Sequence, residues 1–117
     1  MPKALKVAAL AFLGGALGSG LRYLIGIELE VAPTLFIVNS LGALLLGVAN
    51  GRQWPSWFQP FFGTGVAGGF TTMSGLSLLI NANFSSSPLN ITGIVALMFA
   101  AGFAAYWLGL RVARLAK

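Results

Sequence analysis

Long apolar runs alternate with short polar stretches along the chain, and there are four such runs. They occupy approximately residues 4–27, 33–51, 60–80 and 91–113. A transmembrane helix needs about 20 mostly apolar residues, and each run is close to that length. The strands of a membrane β-barrel are instead about ten residues long and alternate in polarity. The pattern therefore predicts an all-α protein in which residues 1–117 form one domain of four transmembrane helices.

Polar and helix-breaking residues mark the connections between these runs. Glu28 and Glu30 end the first run, and Pro33 suits the first turn of the next helix. The stretch at 52–57 contains two tryptophans, which favour a membrane–water interface. Residues 81–90 form the third polar stretch.

The composition indicates a membrane protein as well. Hydrophobic residues make up 57% of the chain and charged residues only 8%, whereas soluble domains have about 25% charged residues. No charged residue occurs between Arg52 and Arg111. A soluble domain of this size could not cover its surface with the residues that remain. We therefore expect an integral membrane protein.

The same composition excludes most chemistry. The chain has no His and no Cys, which excludes disulfides, thiolate nucleophiles and the usual zinc sites. Its two acidic residues, Glu28 and Glu30, share one polar stretch, so general acid–base catalysis lacks its usual groups. We expect no enzymatic activity. We also expect no nucleic-acid partner, because the basic residues behind the net charge of +5 lie near the ends of apolar runs.

The distribution of Lys and Arg predicts the orientation in the membrane. With both termini in the cytoplasm, the cytoplasmic side holds Lys3, Lys6, Arg52, Arg111, Arg114 and Lys117. Only Arg22 lies on the opposite side. Cytoplasmic flanks carry an excess of Lys and Arg, so the chain is predicted to be a multi-pass protein of the cell's inner (plasma) membrane, N-in and C-in. A signal peptide is less favoured, because the first apolar run continues past Arg22.

Small residues recur at four-residue spacing within the runs, as at Gly14 and Gly18 or Gly65 and Gly69. Such faces let helices approach closely in lipid. Four short helices enclose little volume on their own. A second copy or a partner subunit is therefore expected.

The middle of the third run has an unusual composition, GGFTT at 68–72. Gly and β-branched Thr are poor helix formers, so a break is expected there. A break frees backbone carbonyls, which are tolerated at membrane depth only inside protein or beside a watery cavity. Such carbonyls are hard oxygen ligands that suit a small cation. Two interpretations stay open: a kink that serves helix packing, and a cation site shared by two antiparallel subunits.

The polar side chains within the runs are hydrogen-bond donors. Arg22 either extends to the membrane surface or acts inside the protein. Asn39 either bonds a neighbouring helix or offers its NH₂ to an anion. Thr71, Ser74 and Ser77 recur every three residues, and this row of hydroxyls either bonds back to its own helix or lines a polar track. Donors without an acid favour an anion pathway.

Three stretches together resemble the motifs of a known family. They are GGALGSGLRY at 14–23, PTLFIVNSLG at 33–42 and GGFTTMS at 68–74. In this order, and in a chain of this length with four predicted spans, they resemble the Fluc (CrcB-type) fluoride channels.

The resemblance implies an antiparallel, dual-topology dimer with two narrow fluoride pores along its interface. It implies passive fluoride efflux that lowers fluoride toxicity in the cytoplasm. It also implies a structural Na⁺ at the dimer centre, held by the backbone carbonyls of Gly68 and Thr71. By motif position, Asn39 lines the pore and Arg22 lies near an entrance. The predicted pore or anion-binding residues are Arg22, Asn39, Ser74 and Ser77.

One departure from the family pattern affects the pore. The family typically has TTFSTFS in its third helix, where this chain has TTMSGLS at 71–77. Met73 and Leu76 therefore occupy the two phenylalanine positions. The electropositive edge of an aromatic ring can face an anion, and Met and Leu lack such an edge. Residues 99–109 add only the Tyr106 hydroxyl, so this subunit's share of a pore is predicted to be weakened.

The charge distribution also bears on the partner. An antiparallel homodimer requires one sequence that inserts both ways, and hence similar Lys and Arg counts on the two sides. This chain has a strong bias instead, so a paralogous four-span subunit is favoured over self-association.

Two other functions remain as alternatives. One is a small multidrug-resistance-type exporter, a class with a membrane-embedded Glu in its first helix, which the first run here lacks. The other is a non-conducting structural subunit of a heteromeric membrane complex.

Overall fold

The computed structural model describes residues 2–115, and every regular element among them is helical. The elements are α1 (Lys3–Glu28), α2 (Val31–Asn50), a π-helical segment (Gln59–Ala67), α3 (Gly68–Phe70), α4 (Met73–Asn83) and α5 (Pro88–Leu115). The all-α prediction is confirmed. Lys117, which was counted among the cytoplasmic basic residues, lies outside the described residues.

Helices α1, α2 and α5 are each long and apolar enough to cross a membrane. The third predicted span differs, because several short elements share it. The π-helical segment and α3 run to Phe70, and α4 begins at Met73. Between them Thr71 (φ −85°, ψ 158°) and Thr72 (φ −150°, ψ 115°) are extended. We call residues 59–83 the interrupted span.

Backbone contacts show how α1 and the interrupted span run. A Cβ added at Gly14 would meet the carbonyl oxygen of Phe61, and one added at Gly18 would meet that of Val66. Glycine at these positions is thus required for the two backbones to touch, which is the packing role expected of small residues in lipid. Because the residue numbers rise together on both elements, α1 and the interrupted span run in the same direction.

Helices α2 and α5 are packed in the same manner. A Cβ added at Gly47 would meet the Tyr106 carbonyl, and one added at Gly51 would lie 2.6 Å from the Ala113 Cβ. These two helices therefore also run in the same direction. The chain reverses between α1 and α2, since a Cβ added at Gly26 would lie 3.6 Å from the Thr34 Cγ2. The starts of α1 and the interrupted span therefore lie at the same end of the molecule as the ends of α2 and α5.

We call this end the basic end. It carries Lys3, Lys6, Arg52, Arg111 and Arg114, whereas Arg22 lies in the last two turns of α1 towards the other end. The Arg52 guanidinium lies 4.6 Å from the centroid of the Trp54 ring, and that of Arg111 lies 5.0 Å from the Trp107 ring. Tryptophans beside basic residues are typical of a membrane–water interface.

The buried core is small and the apolar surface is large. Leu35, Leu76 and Met98 form a buried cluster between α2, α4 and α5. By contrast, Phe12 on α1 and Phe103 on α5 are each 74% exposed. Large apolar side chains with this exposure are expected to contact lipid or another subunit.

Candidate functional site

The interruption at Thr71 and Thr72 is stabilised by the two threonines themselves. The Ala67 carbonyl accepts hydrogen bonds from the N–H and the Oγ1 of Thr71, both at 3.0 Å. The Thr72 Oγ1 accepts a hydrogen bond from the Gly75 N–H at 3.0 Å and so caps the start of α4. One threonine therefore ends α3 and the next begins α4.

The two glycines that were expected within the break are helical, since Gly68 and Gly69 lie in α3. The extended backbone is restricted to residues 71–72. A Cβ added at Gly69 would meet the carbonyl oxygen of Gly15, so Gly69 allows α3 to touch α1. A Cβ added at Gly68 would meet nothing within 4 Å. One glycine thus serves packing within the chain, and the other faces open space.

Asn39 contacts the interruption from α2. Its Oδ1 accepts a hydrogen bond from the Thr72 N–H at 2.8 Å, and its Nδ2 donates to the Thr72 carbonyl at 3.4 Å. Of the two alternatives for Asn39, the structure thus contains the bond to a neighbouring element. The amide retains one N–H and one acceptor position, and Asn39 is among the residues that line the cavity described below.

Ser19 contacts the same region from α1. Its Oγ donates a hydrogen bond to the Gly69 carbonyl at 3.3 Å. Serine within a helix often bonds a carbonyl of its own preceding turn. Here the hydroxyl bonds across the helix–helix contact instead.

These bonds determine which carbonyls at the interruption are free. In a continuous helix the carbonyls of residues 68–71 would accept from the N–H groups of residues 72–75. The Thr72 N–H is bonded to Asn39 instead, and the Gly75 N–H to a side chain. The N–H groups that would bond the Gly68 and Thr71 carbonyls in a continuous helix are therefore engaged elsewhere.

A cavity of about 390 Å³ lies beside the interruption, between α2 and α5. We call it the α5 cavity. Asn39, Thr71, Met73, Leu76 and Tyr106 are among its lining residues. Met73 is 65% exposed, whereas Leu76 is only 5% exposed and belongs to the buried cluster. The two altered phenylalanine positions therefore have different surroundings.

A second cavity of about 480 Å³ lies between α1, the start of α2 and α4. We call it the α1 cavity. It brings together Ser19, Arg22, Thr34, Thr72 and Ser74. The half-buried Arg22 side chain has no hydrogen bond or ion pair to any residue in the described range 2–115. The cavity thus combines a guanidinium with several hydroxyls, which are groups that suit an anion.

The three hydroxyls predicted to form one row are separated. Thr71 lines the α5 cavity and Ser74 the α1 cavity, while Ser77 lines neither and donates to the Met73 carbonyl at 3.1 Å. The predicted row assumed continuous helical periodicity. That periodicity ends at the extended residues before Met73.

Comparison with known proteins identifies the family. A family model described as "CrcB-like protein, Camphor Resistance (CrcB)" matches residues 9–110, which is most of the chain. This chain belongs to the CrcB-like family. The resemblance noted from the motifs is thereby confirmed.

Similar proteins of this family are known from several bacteria. A protein of Corynebacterium jeikeium named "Fluoride-specific ion channel FluC 2" is 35% identical, over 91% of this chain and 78% of its own length. A protein of the same name from Rhodococcus jostii is 36% identical, over 88% of this chain and 95% of its own length. "Fluoride-specific ion channel FluC" of Gloeothece citriformis is 34% identical, over 86% of this chain and 91% of its own length.

The CrcB-like chain contains one site residue that the sequence analysis missed. Ser19 lies within the first motif, GGALGSGLRY at 14–23, which assigns it no separate role. The available signal was that Ser19 is the one Ser or Thr of α1 and follows Gly18 on a tightly packed face. The helix that it contacts becomes evident only from the fold.

Proposed function

We propose that this CrcB-like chain is a subunit of a fluoride-specific ion channel, through which fluoride leaves the cell passively. The observation that carries the proposal is the similarity to proteins named fluoride-specific ion channels over nearly the whole chain. The site chemistry supports it. The α1 cavity presents a guanidinium and hydroxyls, and both acidic residues lie outside the apolar part of the spans.

The proposed channel is an antiparallel dimer of four-helix subunits with a structural Na⁺ at its centre. The large exposed apolar side chains of α1 and α5 support assembly with another subunit. The carbonyls of Gly68 and Thr71 are the proposed ligands, because their helical N–H partners are engaged elsewhere and they are hard oxygen donors. Gly68 faces open space, so a second backbone has room to approach it.

The proposed anion path uses both cavities. Arg22 and Ser74 attract fluoride at an entrance in the α1 cavity, and Asn39 offers its remaining N–H in the α5 cavity. Ser77 stays a proposed pore residue, at a position outside both cavities where its hydroxyl donates to the Met73 carbonyl. A partner subunit supplies the remaining walls.

The proposed partner is a paralogous four-span chain with the opposite orientation. The Lys and Arg residues gather at the basic end, and this bias favours insertion with that end in the cytoplasm of the inner membrane. Two identical chains with one orientation cannot form an antiparallel pair.

Fluoride efflux from liposomes tests the proposal. The chain is reconstituted alone and together with a four-span paralogue from the same genome, and fluoride and chloride release are recorded with ion electrodes. We expect fluoride release without chloride release, and no dependence on a proton gradient. Release that requires a proton gradient would indicate the exporter alternative. No release in either preparation, from folded protein, would indicate the non-conducting structural subunit.

A further inference from the structure

The interruption is held from two sides by side chains of two different helices. Ser19 on α1 donates to the Gly69 carbonyl, and Asn39 on α2 bonds both the N–H and the carbonyl of Thr72. The carbonyls of Gly68 and Thr71 lie beside these bonded groups, and their helical N–H partners are engaged elsewhere. The side chains therefore engage the groups that neighbour the proposed cation ligands, and they leave the ligands themselves unoccupied.

Peptide geometry connects Asn39 to the orientation of one free carbonyl. The Thr71 carbonyl and the Thr72 N–H belong to the same peptide unit, which is planar and trans, since the described chain has no cis bond. In a trans unit the C=O and N–H bonds point in opposite directions. Because the Thr72 N–H points at Asn39, the Thr71 carbonyl points away from α2.

Ser19 acts on the other side of the interruption. The Gly69 carbonyl lies one residue before the end of α3, and the Ser19 hydroxyl occupies it so that it does not compete with its neighbours for a cation. Contact between α1 and α3 is close there, because Gly69 packs against the backbone of Gly15. The half-buried Ser19 hydroxyl is thereby held within reach of this carbonyl at 3.3 Å.

We propose that Ser19 is a positioning residue, which together with Asn39 holds the interruption so that the Gly68 and Thr71 carbonyls are presented to the central cation. This inference rests on the proposed function, because it assumes the sodium site. Ser19 itself touches neither the cation nor its ligand atoms. Its contribution is to satisfy the Gly69 carbonyl and to fix the end of α3 against α1.

The test uses the purified assembly that conducts fluoride and measures its thermal unfolding midpoint as a function of Na⁺, with N-methylglucamine as the replacement cation. We expect Ser19→Ala to raise the Na⁺ concentration for half-maximal stabilisation by about two- to tenfold, the effect of losing one hydrogen bond. Ser19→Thr keeps the hydroxyl and is expected to behave like wild type. Ser40→Ala is the control, because Ser40 lies on α2 beside Asn39 and its hydroxyl forms no hydrogen bond with a described residue.

The Na⁺ dependence separates positioning from general stability. A purely structural role would lower the midpoint equally with and without Na⁺, and that result would overturn the inference while the cation site stands. A wild-type protein without any Na⁺ response would overturn the cation site and this inference with it. If Ser19→Ala does not fold, Ser19→Cys replaces it. Its weaker donor is expected to shift the Na⁺ dependence in the same direction, and an unchanged dependence in that variant would contradict the role.

Discussion

Asn39 bonds both backbone hydrogen-bonding groups of Thr72, accepting from the N–H at 2.8 Å and donating to the carbonyl at 3.4 Å. One side chain on α2 thus replaces two partners that the interrupted helix does not supply. Because a polar group without a partner is costly in the membrane interior, this amide stabilises the extended conformation of the interruption.

Replacing Asn39 with alanine is expected to affect both stability and flux. Loss of the amide leaves the Thr72 N–H without a partner, at a cost of about 1–3 kcal/mol in the free energy of unfolding. It also removes the N–H that Asn39 is proposed to offer to fluoride, so fluoride flux should fall by about tenfold or more. Asn81→Ala is the matched control, because the exposed Asn81 side chain on α4 forms no hydrogen bond with a described residue. Unchanged flux through a working pore would contradict a role for Asn39 in conduction.

Adjacent glycines in α3 should respond differently to the same substitution. Gly69→Ala places a Cβ against the backbone of Gly15 and is expected to destabilise the chain by about 1–3 kcal/mol. Gly68→Ala adds a Cβ that has no atom of a described residue within 4 Å, so the subunit should fold normally. If Gly68 lies at the dimer centre, this variant should instead assemble poorly and lose its stabilisation by Na⁺. Light scattering measures assembly and thermal unfolding measures stability, so together they distinguish the two effects. A Gly68→Ala protein that assembles normally and keeps its stabilisation by Na⁺ would mean that the dimer centre lies elsewhere.

Restoring phenylalanine at the two altered positions should have unequal effects. Met73 is exposed beside the α5 cavity, so Met73→Phe is expected to fit and to raise fluoride flux by presenting an aromatic edge. Leu76 packs with Leu35 and Met98 in the buried cluster. Leu76→Phe is therefore expected to cost about 1–3 kcal/mol through overpacking.

Flux of the single and double variants, together with their unfolding midpoints, checks this expectation. The double variant should show the higher flux only if its fold survives. If neither Met73→Phe nor the double variant raises flux, although both fold and assemble, missing aromatic edges do not limit this pore.

Orientation can be tested with topology reporters fused to each terminus. Because basic residues gather at one end, we expect both termini in the cytoplasm in nearly all molecules. Fluoride efflux should then require co-expression of a four-span paralogue. Charge-balancing substitution provides a matched variant: Lys3→Gln with Lys6→Gln weakens the bias and should yield some inverted chains. Mixed orientation of the unmodified chain, or strong efflux from it alone, would restore the homodimer.

The residue types along the chain determine much of the fold of this protein. Apolar runs of transmembrane length predicted the long helices α1, α2 and α5, because burying that many apolar side chains requires lipid or protein on every side. Glycines at four-residue spacing, such as Gly14 and Gly18, predicted close backbone contact. Local motifs also located the unusual backbone of the third run to within a few residues.

Tertiary structure decided which groups meet at the site. The Ser19 hydroxyl reaches Gly69 only because α1 and α3 pack backbone to backbone, and nothing in the sequence around either residue specifies that pairing. Leu76 enters the core while Met73 stays exposed, because α2 and α5 cover just one of the two positions. These outcomes depend on how separate helices are placed in space, whereas sequence periodicity describes only the faces of a single regular helix, and here that regularity ends at two extended threonines.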